Sequence, residues 1–110
     1  MVDVSRTPLF IWDFDSGNIT QWNRGSAELY GYSRDEAVGK SVGTLLRPAA
    51  SGSSADALRT ALERDGVWRG QLTMARKTGK PLKVDTKREL IVADGVRYVL
   101  ESSEGGDGKA

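Results

Sequence analysis

The sequence contains no cysteine and no histidine. Without cysteine there is no disulfide, no thiolate nucleophile, no zinc–thiolate site and no Cys-linked flavin or other thioether cofactor. Without histidine there is no imidazole base, no histidine-ligated haem and no phosphohistidine, and a Ser/His/Asp hydrolase is excluded. Carboxylate-pair catalysis survives on composition, but no motif positions a pair of acids, so no catalytic residue and no metal site is assigned and an enzyme is not expected. No apolar run reaches the ~20 residues of a membrane span, and the N-terminus lacks the basic-then-apolar order of a signal peptide. Lys+Arg total 16 and Asp+Glu 15, a net charge of +1. That leaves no global field for nucleic acid or a membrane surface. The lack of cysteine fits a reducing cytoplasm, the expected location.

What is present suits one folded domain. The chain has 110 residues, 38% hydrophobic and 28% charged, enough for a single modest core. Leu9 to Phe14 is aromatic and β-branched and reads as a strand, followed by turn residues Asp15 to Asn18 and a short second strand, Ile19 to Trp22. Asn23 is a helix N-cap and Gly31 the stop of that helix. Ser33-Arg34-Asp35-Glu36 is a capping box for a one-turn helix ending at Gly39. Residues 48–54 read as loop. Ser53 and Asp56 form a second capping box, opening a helix through Leu58 and Leu62 that closes at Gly66.

From Val67 the period is two. Trp68, Gly70, Leu72 and Met74 share one strand face, and Val84, Thr86, Arg88, Leu90 and Val92 share one face of the next strand. Asp94-Gly95 is a two-residue hairpin turn, and Val96 to Ser102 is the last strand. The Gly-rich segment 104–110 reads as a flexible tail. The expected order is β-β-α-α-α-β-β-β: an α+β fold with one five-stranded antiparallel sheet and the helices on one face.

That order, with Ile19-x-x-Trp22-Asn23-x-x-x-x-Glu28-Leu29-Tyr30-Gly31-Tyr32-Ser33-x-x-Glu36-Ala37-x-Gly39, resembles a PAS domain. Gly66-x-Trp68-x-Gly70-x-Leu72, Lys77-Thr78-Gly79-Lys80 and Asp94-Gly95 add to the likeness, which covers about residues 8–103, with 1–7 as an N-terminal segment. The likeness is strongest to PAS domains of bacterial sensor histidine kinases of two-component systems and related signalling proteins. It implies sheet order 2-1-5-4-3 and a sensory or dimerising role in signal transduction. It also implies a kinase or cyclase output domain in a longer parent protein. Family members commonly end the last strand in an Asp-Ile-Thr-like motif; here the chain reads Glu101-Ser102-Ser103-Glu104, as a piece cut from a longer protein would. The alternative is a purely structural protein–protein interaction domain with a filled core and no ligand.

The candidate ligand pocket is Trp12, Tyr30, Met74, Thr86, Arg88 and Glu101. Trp12, Tyr30 and Met74 stand where a ligand would lie, crowding it; no cofactor is expected, and the identity of any small-molecule ligand is open. Thr86 and Arg88 fall on the core face, where a guanidinium needs a partner. Counting back from Asp94-Gly95 sets Leu90 against Val99, Arg88 against Glu101 and Thr86 against Ser103. The inward arginine thus meets the inward acid, as an internal ion pair or as the polar end of a pocket. Residues 67–92 carry seven cations against two acids, read as a solvated face rather than a nucleic-acid site. The opposite sheet face holds Leu9, Ile11, Ile91, Tyr98 and Leu100. That patch is large for a monomer and is the expected homodimer interface, unless a helix preceding Pro8 covers it.

Overall fold

The computed structural model describes residues 7–50 and 54–105. Its elements are β1 (Leu9–Asp13), β2 (Ile19–Trp22), α1 (Arg24–Tyr30), α2 (Arg34–Ala37), α3 (Val42–Leu46), α4 (Ala55–Asp65), β3 (Val67–Ala75), β4 (Pro81–Ala93) and β5 (Val96–Gly105). The strands form one antiparallel sheet in the order β2-β1-β5-β4-β3. The first and last strands are therefore neighbours at the centre of the sheet.

The local signals act as their chemistry requires. Asn23 Oδ1 accepts from Ser26 N at 2.9 Å and from Leu9 N at 3.0 Å, so one side chain caps α1 and ties it to β1. Gly31 leaves α1 at φ 89°, a conformation that favours glycine. Ser33 and Glu36 form the reciprocal capping box of α2. Asp94 and Gly95 both have positive φ, 52° and 78°, the condition for a two-residue turn whose twist matches the strands. The register that follows pairs Leu90 with Val99, Arg88 with Glu101 and Thr86 with Ser103.

Three local expectations are corrected. Among the described residues there are four helices, not three: α3 lacks a local signal because Val42, Gly43 and Thr44 are poor helix formers and Ser41 makes no side-chain cap bond. It is held by the burial of Val42 and Leu46. The cap of α4 is Ser54, whose Oγ accepts from Ala57 N at 3.0 Å; alanine at the third helical position cannot return the bond, so α4 has no capping box. Ser53, the expected cap, lies outside the described residues. β5 also runs past 103, with Glu104 and Gly105 paired to Asp85 and Val84. Of the expected tail, residues 106–110 lie outside the described residues, as do residues 1–6.

The core lies between the sheet and the helices. Phe10, Trp12 and Phe14 of β1 and its turn point into it with Trp22, Tyr30, Leu62, Leu72, Met74 and Val99. Strand alternation then sends Leu9, Ile11, Tyr98 and Leu100 to the other face, where they are half-buried, and Ile91 stands 41% exposed. Among the described residues no helix is long and apolar enough to cross a membrane.

Candidate functional site

One rung of the inner sheet face carries the polar chemistry. Trp68 of β3 pairs with Arg88 of β4, Arg88 with Glu101 of β5, and Glu101 with Phe10 of β1. Arg88 is 7% exposed and Glu101 0%. Arg88 Nε donates to Glu101 Oε1 at 2.9 Å, and Trp12 Nε1 donates to the same oxygen at 2.9 Å. The Arg88 guanidinium lies 5.3 Å from the centre of the Trp12 ring and 5.9 Å from that of Trp68, so two indole faces flank the cation. Gly70 makes room for this arrangement. A Cβ there would stand 2.7 Å from Trp68 Cζ2, because the indole lies across the glycine.

The ion pair is one-armed. Arg88 Nη2 and Glu101 Oε2 are both buried and have no hydrogen-bond partner, and Thr86 Oγ1 is in the same condition. A buried donor left unpaired costs on the order of 1–3 kcal/mol, more when charged. Such groups in a folded protein are met by an ordered water, an ion or a bound molecule.

Arg88 is also a wall of a cavity of about 200 Å³ beneath α3 and α4. Trp12 and Phe14 supply the rest of the sheet side; Val42, Leu58 and Leu62 face them, and Asp56 and Arg59 also line it. Of the six expected pocket residues, Trp12 and Arg88 line this cavity, and Glu101 stands behind Arg88 as its counter-ion. Thr86 sits across from Ser103, whose Oγ accepts from the Tyr30 hydroxyl at 3.0 Å. Burial holds that hydroxyl well above its ordinary pKa of 10.0; the Ser103 bond pulls the other way, while the Glu101 charge reinforces the rise. Met74, 1% exposed, fills core space.

A second cluster was not anticipated. Arg59 donates to the Phe14 carbonyl at 2.8 Å and lies 3.9 Å from the centre of the Phe14 ring. Arg97 lies 4.7 Å from the same ring and bridges Asp15 in the β1–β2 turn to Glu63 on α4. The Arg97 bond, first of all, holds the Asp15 carboxyl below its usual value. These bonds clamp α4 to the sheet beside the cavity. The available signal was Arg59 and Glu63, four residues apart and so on one helix face; their partners become visible only in three dimensions.

The five expected interface residues share the outer face. Leu100 pairs with Ile11 and Tyr98 with Ile91 across the strands. Leu9, Ile11 and Leu100, with Gln21 and Trp22 of β2, border a groove of about 360 Å³.

A family model for the PAS domain matches residues 6–102. No curated protein matches the sequence. Among solved structures, the chain is similar to the PAS domain of a protein from Colwellia psychrerythraea, at 25% identity and a TM-score of 0.77 over 91% of this chain and 86% of that one. It is similar to the PAS domain of nitrogen regulation protein NR(II) from Vibrio parahaemolyticus, at 21% identity and a TM-score of 0.74 over 91% and 89%. A PAS domain from a two-component sensor histidine kinase shares 10% identity and a TM-score of 0.73 over 91% and 85%.

Proposed function

Because the chain belongs to the PAS domain family, we propose that it is a sensory module in which a small molecule, seated against Arg88, sets the state of a linked output domain. PAS domains as a family are sensory modules rather than catalysts. The fold does not decide what is sensed, so the reading rests on the site. The observation that carries it is Arg88 Nη2: a buried, unpartnered donor on a residue that lines a cavity. An acceptor that reaches the guanidinium would make a charge-assisted bond there, which favours binding.

A route to the output would run through β5: Arg88 and Glu101 join β4 to β5, the last strand in the chain and the central strand of the sheet. A ligand that draws on Arg88 alters the pull on Glu101 and hence on the central strand. The outer face of β1 and β5, with Leu9, Ile11, Tyr98 and Leu100, is the surface through which two copies would pair, with Ile91 at its rim. A ligand shifts such a pair only by its differential affinity for the two arrangements. In this reading the parent protein is a cytoplasmic signalling protein, and its output domain is a kinase, as in a two-component histidine kinase, or a cyclase.

The second reading is an interaction domain without a ligand. Tyr30, Leu72 and Met74 at 0–1% exposure favour it, since they fill space that a large ligand would need. Native mass spectrometry of protein purified from cells separates the two. Bound small-molecule mass supports the sensor; a ligand-free dimer supports the interaction domain and removes the sensor reading.

A further inference from the structure

We propose that α4 is the door of the Arg88 cavity, hinged at Gly66 and latched to the sheet by Arg97; its part in ligand entry rests on the sensor reading above. The cavity has Trp12, Phe14 and Arg88 on the sheet side and residues of α3 and α4 facing them. The two helices are held differently. The chain around α3 is stitched down by backbone bonds on both sides. Val42 N donates to Gly17 O at 2.8 Å, and Ala49 and Thr73 of β3 exchange bonds at 2.8 and 3.0 Å. Among the described residues, α4 has a backbone bond to the sheet at one end only, where Leu90 N of β4 donates to Gly66 O at 2.9 Å. Gly66 caps the helix at φ 77°, and β3 begins at the next residue. That end is the hinge.

The rest of α4 is held lightly. Its buried side chains are Leu58 and Leu62, one turn apart on the face that lines the cavity. The other ties are polar. Arg97 of β5 donates to Glu63 at 3.1 Å and to Asp15 in the β1–β2 turn, and Arg59 donates to the Phe14 carbonyl at 2.8 Å. Both guanidiniums lie over the Phe14 ring, itself a wall of the cavity, so the latch closes at the cavity's edge. The Arg97 and Glu63 side chains are 36% and 47% exposed, and ion pairs this exposed are individually weak. Such a fastening keeps α4 shut, yet lets it open while the sheet stays folded. The latch is also joined to the strand that carries Glu101: Arg97 lies on β5, so opening α4 frees a side chain of the central strand.

The chain has no cysteine, so a single introduced thiol reports the opening. Leu62→Cys places it on the cavity face of α4, where Leu62 is 1% exposed; Val84→Cys places it on the inner face of β4, at 0%. Each ligand-free protein is reacted with dithiobis-nitrobenzoate at rising urea. The Leu62→Cys thiol should react at least ~100-fold faster than the Val84→Cys thiol and almost independently of urea below ~1 M, because a door exposes little surface and global unfolding exposes much. Adding Arg97→Met should raise the Leu62→Cys rate ~10-fold, equivalent to ~1.4 kcal/mol. Arg64→Met, which breaks a pair within α4 itself, should leave the rate unchanged. If Leu62→Cys does not fold, Leu58→Cys on the same face gives the same comparison. A rate that climbs with urea as steeply as that of Val84→Cys overturns the door, and an Arg97→Met rate equal to that of its parent overturns the latch. No ligand takes part, so either failure leaves the sensor reading standing. That reading is decided separately, by the mass of protein taken from cells.

Discussion

Glu101 Oε1 accepts from both Arg88 Nε and Trp12 Nε1, each at 2.9 Å, so one carboxylate oxygen joins β4, β5 and β1 inside the core. The second oxygen is unpartnered, as is Arg88 Nη2. A pair built for stability alone would close both arms in a bidentate fork. In this pair the second arm is unmade, on an arginine that also lines a cavity.

Breaking the pair from one side should be severe. Glu101→Gln leaves Arg88 buried without a counter-charge and should cost on the order of 3–5 kcal/mol. Glu104→Gln, at an exposed position on the same strand, should stay within ~0.5 kcal/mol. Urea unfolding of the two variants checks this; equal midpoints would mean that Glu101 does not neutralise Arg88.

Gly70→Ala should act through Trp68. The new methyl meets Trp68 Cζ2 and Cη2 at 2.7 and 2.8 Å, and the indole is half-exposed, so it can swing outward rather than strain the backbone. The stability cost should be modest, about 1 kcal/mol, at the low end for overpacking. Trp68 emission should shift to the red as the ring gains water. In a Trp68→Phe background Gly70→Ala should produce no shift; a shift that persists places the change at Trp12 or Trp22 instead.

The hairpin rung was readable from residues alone because a two-residue turn leaves no freedom of register. Once Asp94 and Gly95 are the turn, Arg88 must meet Glu101 and Thr86 must meet Ser103. Alternation likewise set Leu9 and Ile11 opposite Phe10 and Trp12. The cavity was less legible. Most of its lining comes from α3 and α4, and α3 has no local signal: Val42 and Leu46 make it a helix by being buried, which is a property of the assembled fold. Nor could spacing show that Arg59 and Arg97 both cover Phe14, since the three come from the middle, the C-terminal part and the N-terminal part of the chain. Tyr30 on α1 and Met74 on β3, expected to crowd the space of a ligand, are 0% and 1% exposed and are not among the residues that line the cavity.

The alkaline limb of stability should belong to Tyr30. Its folded pKa lies above the ordinary 10.0, chiefly through burial, so the folded state holds that proton more tightly than the unfolded chain. The contribution is fully present below pH 10.0 and is lost as pH rises above it. Unfolding free energy measured between pH 8 and pH 11.5 should therefore fall at the alkaline end in the wild type. The fall should be smaller in Tyr30→Phe. Parallel curves would show that Tyr30 ionises as freely in the folded state as in the unfolded one.

Self-association should depend on the outer sheet face. Burying ~100 Å² of apolar surface per side chain at ~25 cal/mol per Å² contributes a few kcal/mol per protomer before association entropy is subtracted. A contact worth ~6 kcal/mol is substantially formed at ~100 μM. Sedimentation at that concentration should give a dimer for the wild type and a monomer for Ile11→Asp. A monomeric wild type assigns the patch to some other cover.

The central claim is that Arg88 holds a small molecule, and native mass spectrometry of two proteins purified in parallel from the same cells tests it most directly. The wild type should carry a low-mass, non-covalent adduct and stay colourless, since no haem or flavin absorbance is expected. The Arg88→Met/Glu101→Gln variant should be folded and lack the adduct. Identical adducts on both proteins, or none on the wild type, would contradict the account.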